Sequence, residues 1–186
     1  MRIAITGSIG SGKTVACEYL RLKGYDVFDC DKENAILLEK NNKGYNEVLK
    51  AFPECFINEK LDKKALADIV FSDRKKKKTL EDIMHPLILE KMNNRQDDPL
   101  IAEVPLLFEA DWDKYFDVNI LIVTDIDLVL ERLIERGLDE NEAKRRLKNQ
   151  MSVEEKIKRA DKIIYNNGSL ADLYQAIDEV LEEVLC

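Results

Sequence analysis

The chain has few of the residues that build metal centres and disulfide frameworks. A single histidine, His85, stands among 186 residues, which excludes a histidine-rich metal site. The four cysteines contain no Cys-x-x-Cys pair and lie far apart along the chain, so neither a zinc site nor a disulfide framework is indicated. A protein without disulfides fits a reducing compartment, and we expect a cytoplasmic location.

Long apolar runs and an excess of basic charge are also lacking. No stretch is long enough to cross a bilayer, and no signal peptide precedes the first apolar residues, so we expect no membrane association. The net charge of −8 argues against sequence-independent binding of nucleic acid. Without internal repeats or linkers rich in proline, glycine or serine, a chain of this length fits one globular domain. We expect a monomer and leave an oligomer open.

Glycine is scarce, yet three of the seven glycines fall within residues 7–14. This segment reads Gly-Ser-Ile-Gly-Ser-Gly-Lys-Thr, a complete G-x-x-x-x-G-K-S/T phosphate-binding loop. It follows the apolar run 3–5 and precedes a helix-forming segment, which is the strand–loop–helix context that the motif requires. The sequence therefore predicts a nucleoside triphosphate site.

The chemistry of such a loop assigns candidate residues. Successive main-chain N–H groups and the N-terminus of the following helix hold phosphate oxygens. Lys13 would reach the β- and γ-phosphates, and the Thr14 hydroxyl would ligate Mg²⁺. The candidate nucleotide-binding residues in the loop are Gly10, Ser11, Gly12, Lys13, Thr14 and Val15.

Strand and helix patterns alternate along the rest of the chain. Short apolar strands are predicted at 3–5, 25–28, 100–104, 118–123 and 162–165. Helices are predicted at 13–22, across most of 32–70, from 72 to about 92 with an interruption at His85-Pro86, at 127–136, after Asp139 and Ser152, and from Ser169 onward. This alternation predicts an α/β fold with a parallel sheet covered on both faces by helices.

Two carboxylates follow the second predicted strand. Asp29 and Asp31 are two residues apart, and in an extended segment their side chains would point to the same side and could share one site. A carboxylate pair there favours transfer of a phosphoryl group to a hydroxyl over simple hydrolysis, because an organic acceptor must be oriented. The alternative is an acidic turn that caps the next helix.

Positive charge is concentrated in two segments. Residues 127–150 carry Arg132, Arg136, Arg145 and Arg146, which suit either a lid that closes over a triphosphate or a solvated helical hairpin. For Arg136 we favour the lid. The basic run 74–78 is typical of an exposed helix face. His85 before Pro86 serves a helix break, with a substrate contact as the other interpretation.

Several motifs occur together in a characteristic order. They are the loop 6–14, the pair Asp29 and Asp31, the segment 69–73, His85-Pro86, Val104-Pro105-Leu106-Leu107-Phe108-Glu109, Arg132 with Arg136, the segment 146–150, and Ala160-Asp161 followed by Asn166-Asn167-Gly168. Over nearly its full length the chain closely resembles the dephospho-CoA kinase family. The resemblance implies a three-layer P-loop NTPase fold like that of nucleoside monophosphate kinases. It also implies transfer of the γ-phosphoryl of ATP, with Mg²⁺, to the ribose 3′-hydroxyl of dephospho-CoA, the last step of coenzyme A biosynthesis.

The resemblance further implies an organisation of the domain. The core would comprise about 1–31, 98–126 and 160–186, the acceptor-binding helical region about 32–97, and the lid about 127–159.

Roles for particular residues also follow from the resemblance. Asp31 resembles the acidic residue at the acceptor hydroxyl, with Asp29 beside the metal, and Arg136 resembles the arginine of the lid. Leu106, Leu107 and Glu109, together with His85, are the further candidate contacts of the acceptor, and Asn166 and Asn167 those of the adenine end of ATP. The chain departs from the family pattern at Cys30, Ala35 and Lys63, the last two standing where arginine is usual.

Two other functions would use the same phosphate loop. Another small-molecule P-loop kinase, of the shikimate or nucleoside type, would share the phosphate loop and the carboxylate pair. A nucleotide-dependent switch protein would carry Asn-Lys-x-Asp and Asp-x-x-Gly, and the chain has neither.

Overall fold

A computed structural model describes residues 1–185 of the chain. These residues form two compact units, one made of residues 1–29 with the chain from 96 onward and one made of residues 30–95. We call them the phosphate-loop unit and the helical unit. In chain order the elements are β1 (Arg2–Gly7), α1 (Lys13–Leu22), β2 (Val27–Asp29), α2 (Cys30–Leu37), α3 (Lys43–Ala51), β3 (Phe56–Ile57), β4 (Lys60–Leu61), α4 (Lys63–Ser72), α5 (Arg74–Asn93), β5 (Leu100–Glu103), β6 (Val118–Val123), α6 (Ile126–Glu135), α7 (Glu140–Lys148), α8 (Val153–Ile157), β7 (Lys162–Tyr165) and α9 (Leu170–Leu185).

The phosphate-loop unit is built on a five-stranded sheet in the order β2-β5-β1-β6-β7. Every pairing in it is parallel. Its strands are short apolar runs without polar alternation, as expected for strands buried on both faces. The predictions of an α/β fold and of a parallel sheet flanked by helices are confirmed.

Both faces of the sheet are buried at β1. Ile3 and Ile5 on β1 pack with α1 and α9 in one hydrophobic cluster. Ala4, between them, points to the opposite face and is also fully buried. Because β1 lies at the centre of the sheet, its carboxyl end and the loop that follows it are held by neighbouring strands on both sides.

The strand order also places a ligand site. From β1 the chain crosses to β2 on one side of the sheet, and from β5 it crosses to β6 on the other side. In open α/β sheets, such a point of reversal opens a crevice at the carboxyl ends of the strands. The loop after β1 lies at this crevice.

The helical unit contains α2 to α5 and the β3–β4 hairpin. The sequence analysis missed this hairpin, which is antiparallel and very short. Asn58 and Glu59 form its turn with φ of 48° and 61°, the positive values that a two-residue hairpin turn of this class requires. Four residues of strand are too few to give an alternating pattern.

Helix α5 differs from the prediction. It continues through Pro86, where a break was expected. Met84, Leu87 and Ile88 on both sides of the proline are buried, so packing compensates for the hydrogen bond that the proline removes. The expected interruption is therefore wrong.

The geometry expected for Asp29 and Asp31 is also corrected. Strand β2 ends at Asp29, and α2 already begins at Cys30, so the two aspartates do not share one extended segment. Asp31 lies in the first turn of α2, where successive side chains are rotated around the helix rather than alternating across a strand. The argument that extended backbone aligns the two carboxylates does not hold.

None of the helices within residues 1–185 combines the length and the apolar character needed to span a bilayer.

Candidate functional site

The phosphate loop leads directly into α1 with unpaired main-chain donors. Gly12 is the N-cap of α1, with a φ of 96°, and no side chain caps this helix end. The first N–H with an intrahelical acceptor is that of Ala16, bonded to the Gly12 carbonyl at 3.0 Å. The N–H groups of Lys13, Thr14 and Val15 therefore have no partner in the helix. Together with the positive end of the helix dipole, they form a site for phosphate oxygens.

Asn166, the residue directly after β7, stabilises the phosphate loop. Its buried side chain donates from Nδ2 to the Ser11 carbonyl at 2.8 Å, and the Thr124 hydroxyl donates to the same oxygen at 2.9 Å. A Cβ on Gly12 would collide with Nδ2 of Asn166. Glycine is thus required at position 12 both by its positive φ and by this close approach.

Glu103, at the end of β5, is a site residue that the sequence analysis missed. Its carboxylate is almost fully buried and accepts a hydrogen bond from the Thr14 hydroxyl at 3.0 Å. The same oxygen, Oε1, lies 3.8 Å from Lys13 Nζ, and Oε2 lies 3.8 Å from the Arg21 guanidinium. In the sheet register Glu103 is opposite Asp29. The sequence feature that could have identified Glu103 is its position as the only charged residue of an otherwise apolar strand.

The oxygen atoms around Thr14 are ligands that suit a hard divalent cation. The Thr14 hydroxyl and the Glu103 carboxylate are oxygen ligands of the kind that Mg²⁺ takes, and Asp29 lies on the neighbouring strand. Within residues 1–185 no group of three His, Cys, Asp or Glu side chains is arranged to hold a metal ion. The protein would therefore supply few ligands itself, which is usual for Mg²⁺ bound with nucleotide phosphates. Beside Glu103, burial raises the pKa of the Cys17 thiol, which favours its protonated form.

A cavity of about 470 Å³ opens beside the phosphate loop. Its size falls in the range of small-molecule sites. It is lined by Gly10, Gly12, Val15, Arg132, Glu135, Arg136, Asn166, Gly168, Leu170 and Leu173. Five of these were predicted as site residues: Gly10, Gly12, Val15, Arg136 and Asn166.

The arginines of α6 and α7 differ in their surroundings. Arg132 donates to the Asn166 carbonyl at 3.2 Å and so braces the wall of the cavity. Arg136 is the exposed C-cap of α6 and lines the cavity. Arg145 and Arg146 instead pair with Glu142 on the surface of α7. The solvated interpretation therefore describes Arg145 and Arg146.

Asn167 lies next to Asn166 but contacts a different element. Its Oδ1 accepts the N–H of Asp125, the N-cap residue of α6, at 2.9 Å. It is not among the residues that line the cavity. In this structure the side chain of Asn167 fixes the start of α6.

The segment after β5 contains one exposed and one buried leucine. Leu106 is 44% exposed, whereas Leu107 has no exposed surface and packs in the core. Oε1 of Glu109 accepts the Met151 N–H at 3.1 Å and lies 2.9 Å from Nζ of Lys156, a lysine with no exposed surface. The Lys156 contact is an ion pair rather than an aligned hydrogen bond. Lys156 was not singled out from the sequence, because a lysine in a charged segment reads as solvated.

We expect the Glu109–Lys156 pair to be visible in stability measurements. Lys156→Met leaves the Glu109 carboxylate without its counter-ion and should lower the free energy of unfolding by about 3 kcal/mol. The double variant Glu109→Gln/Lys156→Met should be clearly more stable than Lys156→Met, because no unpaired charge remains. Urea denaturation measures both changes, and Lys158→Met, at an exposed position two residues away, is the control. A double variant that is no more stable than Lys156→Met would contradict the ion pair.

Two predicted site residues belong to the helical unit. Asp31 is exposed in the first turn of α2, and His85 is half-buried in α5. Burial lowers the pKa of His85 below its usual range, against the opposing effect of Glu81 and Asp82, so the imidazole is neutral at pH 7. The basic run at the start of α5 pairs with Glu81 and Asp82 on the same helix, as expected for an exposed face.

A phosphate loop at the carboxyl end of the central strand of a parallel sheet, beside a cavity of about 470 Å³, defines a nucleotide-binding protein of the P-loop class. The family model described as dephospho-CoA kinase matches residues 1–172. The chain belongs to the dephospho-CoA kinase family.

Individual relatives agree with this assignment. The chain is 38% identical to the dephospho-CoA kinase of Aquifex aeolicus, over 98% of this chain and 97% of that protein. The crystal structure of TT1252 from Thermus thermophilus is similar with a TM-score of 0.87 at 37% identity, covering 99% of this chain and 97% of that one. The dephospho-CoA kinase from Campylobacter jejuni is similar with a TM-score of 0.70 at 32% identity, covering 98% and 96%. The match in each case extends over nearly the whole length.

Proposed function

We propose that this protein transfers the γ-phosphoryl group of ATP to the ribose 3′-hydroxyl of dephospho-CoA, which completes coenzyme A. Family membership supports the reaction and the acceptor. The observation that supports a nucleoside triphosphate as the phosphoryl donor is the start of α1. There, three N–H groups without a helical acceptor and the Lys13 side chain lie beside a cavity of about 470 Å³. Neither line of support favours a shikimate- or nucleoside-type kinase.

The residues of the loop bind and orient the triphosphate in this mechanism. The N–H groups of Lys13, Thr14 and Val15 hold phosphate oxygens, and the Lys13 ammonium adds a full positive charge. The Thr14 hydroxyl, with Glu103 behind it and Asp29 on the next strand, would hold Mg²⁺. When bound, the metal neutralises negative charge on the phosphates.

The remaining roles concern the acceptor and the closing of the site. Asp31 orients the 3′-hydroxyl and accepts its proton as the bond to phosphorus forms. Arg136 adds positive charge when the lid within about 127–159 closes, which also excludes water. Residues 150–159 keep their contacts with the phosphate loop and with the segment that ends at Glu109. The acceptor side comprises Leu106, Leu107, Glu109 and His85. The adenine side comprises Asn166 and Asn167. The acceptor-binding region spans about 32–97, and the core spans about 1–31, 98–126 and 160–186.

The setting of this reaction is part of the same proposal. We infer a monomeric enzyme of the cytoplasm that has neither nucleic acid nor membrane as a partner. The thiols of Cys17 and Cys55 are free and buried, which suits a reducing compartment.

Incubation with Mg-ATP and a panel of acceptors tests the function directly. Dephospho-CoA, shikimate and nucleosides are offered in parallel, and products are identified by mass spectrometry. We expect phosphorylated product from dephospho-CoA and none from the others. Phosphorylation of shikimate or of a nucleoside in preference to dephospho-CoA would contradict the proposal.

Glu103 gives a separate prediction about the metal. Glu103→Gln keeps an oxygen for the Thr14 hydroxyl but removes the negative charge, so Mg²⁺ should be held about 10- to 100-fold less tightly, as for other residues behind a metal ligand. Titration calorimetry of ADP with and without Mg²⁺ measures this, and Glu18→Gln on the exposed face of α1 is the control. An unchanged effect of Mg²⁺ on ADP binding would exclude Glu103 from the metal site.

A further inference from the structure

Gln150, in the linker between α7 and α8, contacts the first half of the phosphate loop. Its Oε1 accepts the main-chain N–H of Ile9 at 3.0 Å. These two residues are separated by 141 positions along the chain. Nothing in the mechanism above uses this contact.

The main-chain N–H groups of the phosphate loop fall into two sets, those bonded within the protein and those assigned to phosphate. That of Ile9 is bonded to Gln150, and that of Ser11 is bonded to the Ser8 carbonyl at 3.1 Å. Those at the start of α1 have no acceptor in the helix and are the ones assigned to phosphate. Gln150 therefore holds the loop at Ile9 and leaves the N–H groups that bind phosphate without a protein acceptor.

The next residue holds a different part of the unit. Met151 donates its N–H to Glu109 Oε1 at 3.1 Å, and Glu109 ends the segment that includes Leu106. Two consecutive residues of the linker thus contact the donor loop and the acceptor-side segment.

The acceptor-side end of this connection is firmly anchored. Lys156 compensates the charge of Glu109 at 2.9 Å. Arg159 donates to the Phe108 carbonyl at 2.9 Å and pairs with Asp113 at 2.6 Å. Arg159 also pairs with Asp111 at 2.9 Å. A shift of the segment would break these ion pairs and the hydrogen bond to Phe108, so the segment serves as a rigid reference for the linker.

We propose that Gln150 is a positioning residue for phosphoryl transfer, which acts through the Ile9 amide to hold the phosphate loop in register with the segment that ends at Glu109. This inference rests on the proposed function. In-line transfer depends on the relative placement of donor and acceptor, and a displacement of about 1 Å can cost about 100-fold in rate. Because the phosphate-binding donors are untouched, loss of Gln150 should reduce turnover far more than nucleotide affinity.

Three variants test the proposal. Gln150→Leu removes the acceptor for the Ile9 N–H at similar length. Gln150→Glu retains an acceptor oxygen there. Asn149→Leu, at the exposed neighbouring position, is the matched control. The measurements are kcat and KM for both substrates, the Kd of ADP, and hydrogen exchange of the Ile9 amide by NMR.

We expect kcat of Gln150→Leu to fall by about 10- to 100-fold, with the Kd of ADP and both KM values within about threefold of the wild type. The Ile9 amide should exchange faster in Gln150→Leu and remain protected in Gln150→Glu. Wild-type kcat in Gln150→Leu, unchanged exchange at Ile9, or a loss of ADP affinity equal to the loss of kcat would each overturn the proposal. Failure of the wild-type enzyme to phosphorylate dephospho-CoA would instead overturn the proposed function. That result comes from the wild-type assay alone and does not depend on any variant.

Discussion

Lys13→Ala is expected to lower turnover with dephospho-CoA by at least about 100-fold, the loss seen when one preorganised charge-stabilising donor is removed. Lys13 is the first residue of α1, so its ammonium extends from the same helix end that presents the phosphate-binding N–H groups. Its side chain is only 13% exposed, and Nζ lies 3.8 Å from Glu103 Oε1, so the charge is largely shielded from water. In such a site the attraction between an ammonium and a phosphate is weakly screened.

The measurement is kcat under saturating ATP and dephospho-CoA, together with the Kd of ADP. Lys23→Ala is the matched control, because Lys23 caps the other end of α1 and pairs with Asp178 on the surface at 2.6 Å. That variant should keep its turnover. Normal turnover in Lys13→Ala would remove Lys13 from the chemistry.

Lys13→Arg should not restore full activity. A guanidinium is larger and planar, and its fork pairs bidentately with a carboxylate. With Glu103 Oε1 only 3.8 Å from Nζ of Lys13, an arginine there is expected to turn toward that carboxylate and away from the nucleotide.

The donor side of the site could be predicted from the sequence because its signals are local. Glycine spacing, the lysine and threonine, and the flanking apolar strand and helix all fall within about 20 residues, and α1 begins and ends where the pattern indicated. The β6 and β7 strands likewise coincide with their apolar runs. Local patterns report backbone periodicity and turn chemistry well.

The supporting residues could not be predicted in the same way. Asn166 and Gln150 contact the phosphate loop across 155 and 141 positions of sequence, and nothing in their own neighbourhoods indicates a partner. Glu103 and Lys156 are charges whose significance comes from burial, which depends on how elements pack. A charged residue in an apolar strand can be noted in advance, but its partners are known only from the fold.

The wrong predictions at Pro86 and at the two aspartates have another cause. Pro86 and the aspartates at 29 and 31 were interpreted from backbone preference alone. Packing of the apolar residues of α5 overrides the preference of proline, and a helix that starts directly at Cys30 replaces the extended segment. Tertiary contacts commonly override such weak local preferences.

Asp31→Asn is expected to lower kcat by about 100-fold or more, the usual contribution of a positioned proton acceptor. Asparagine keeps the size and one carbonyl oxygen of aspartate, so it can still contact a hydroxyl, but it cannot take up a proton at neutral pH. Asp31 is exposed in the first turn of α2, where Glu33 provides a second acidic residue for comparison. Glu33→Gln removes the same charge from the same helix end and should leave kcat near that of the wild type.

Binding and turnover respond differently to the two roles that Asp31 could have. If it orients and deprotonates the 3′-hydroxyl, Asp31→Asn should leave the Kd of Mg-ADP within about twofold while kcat falls, because the interaction develops during transfer of the phosphoryl group. If it helps to hold Mg²⁺, the Kd of Mg-ADP should rise in parallel with the loss of kcat. Titration calorimetry and steady-state kinetics on the same preparations separate these results. Equal losses would move Asp31 from the acceptor to the metal and leave the proton of the hydroxyl to be taken by water or by the phosphate itself.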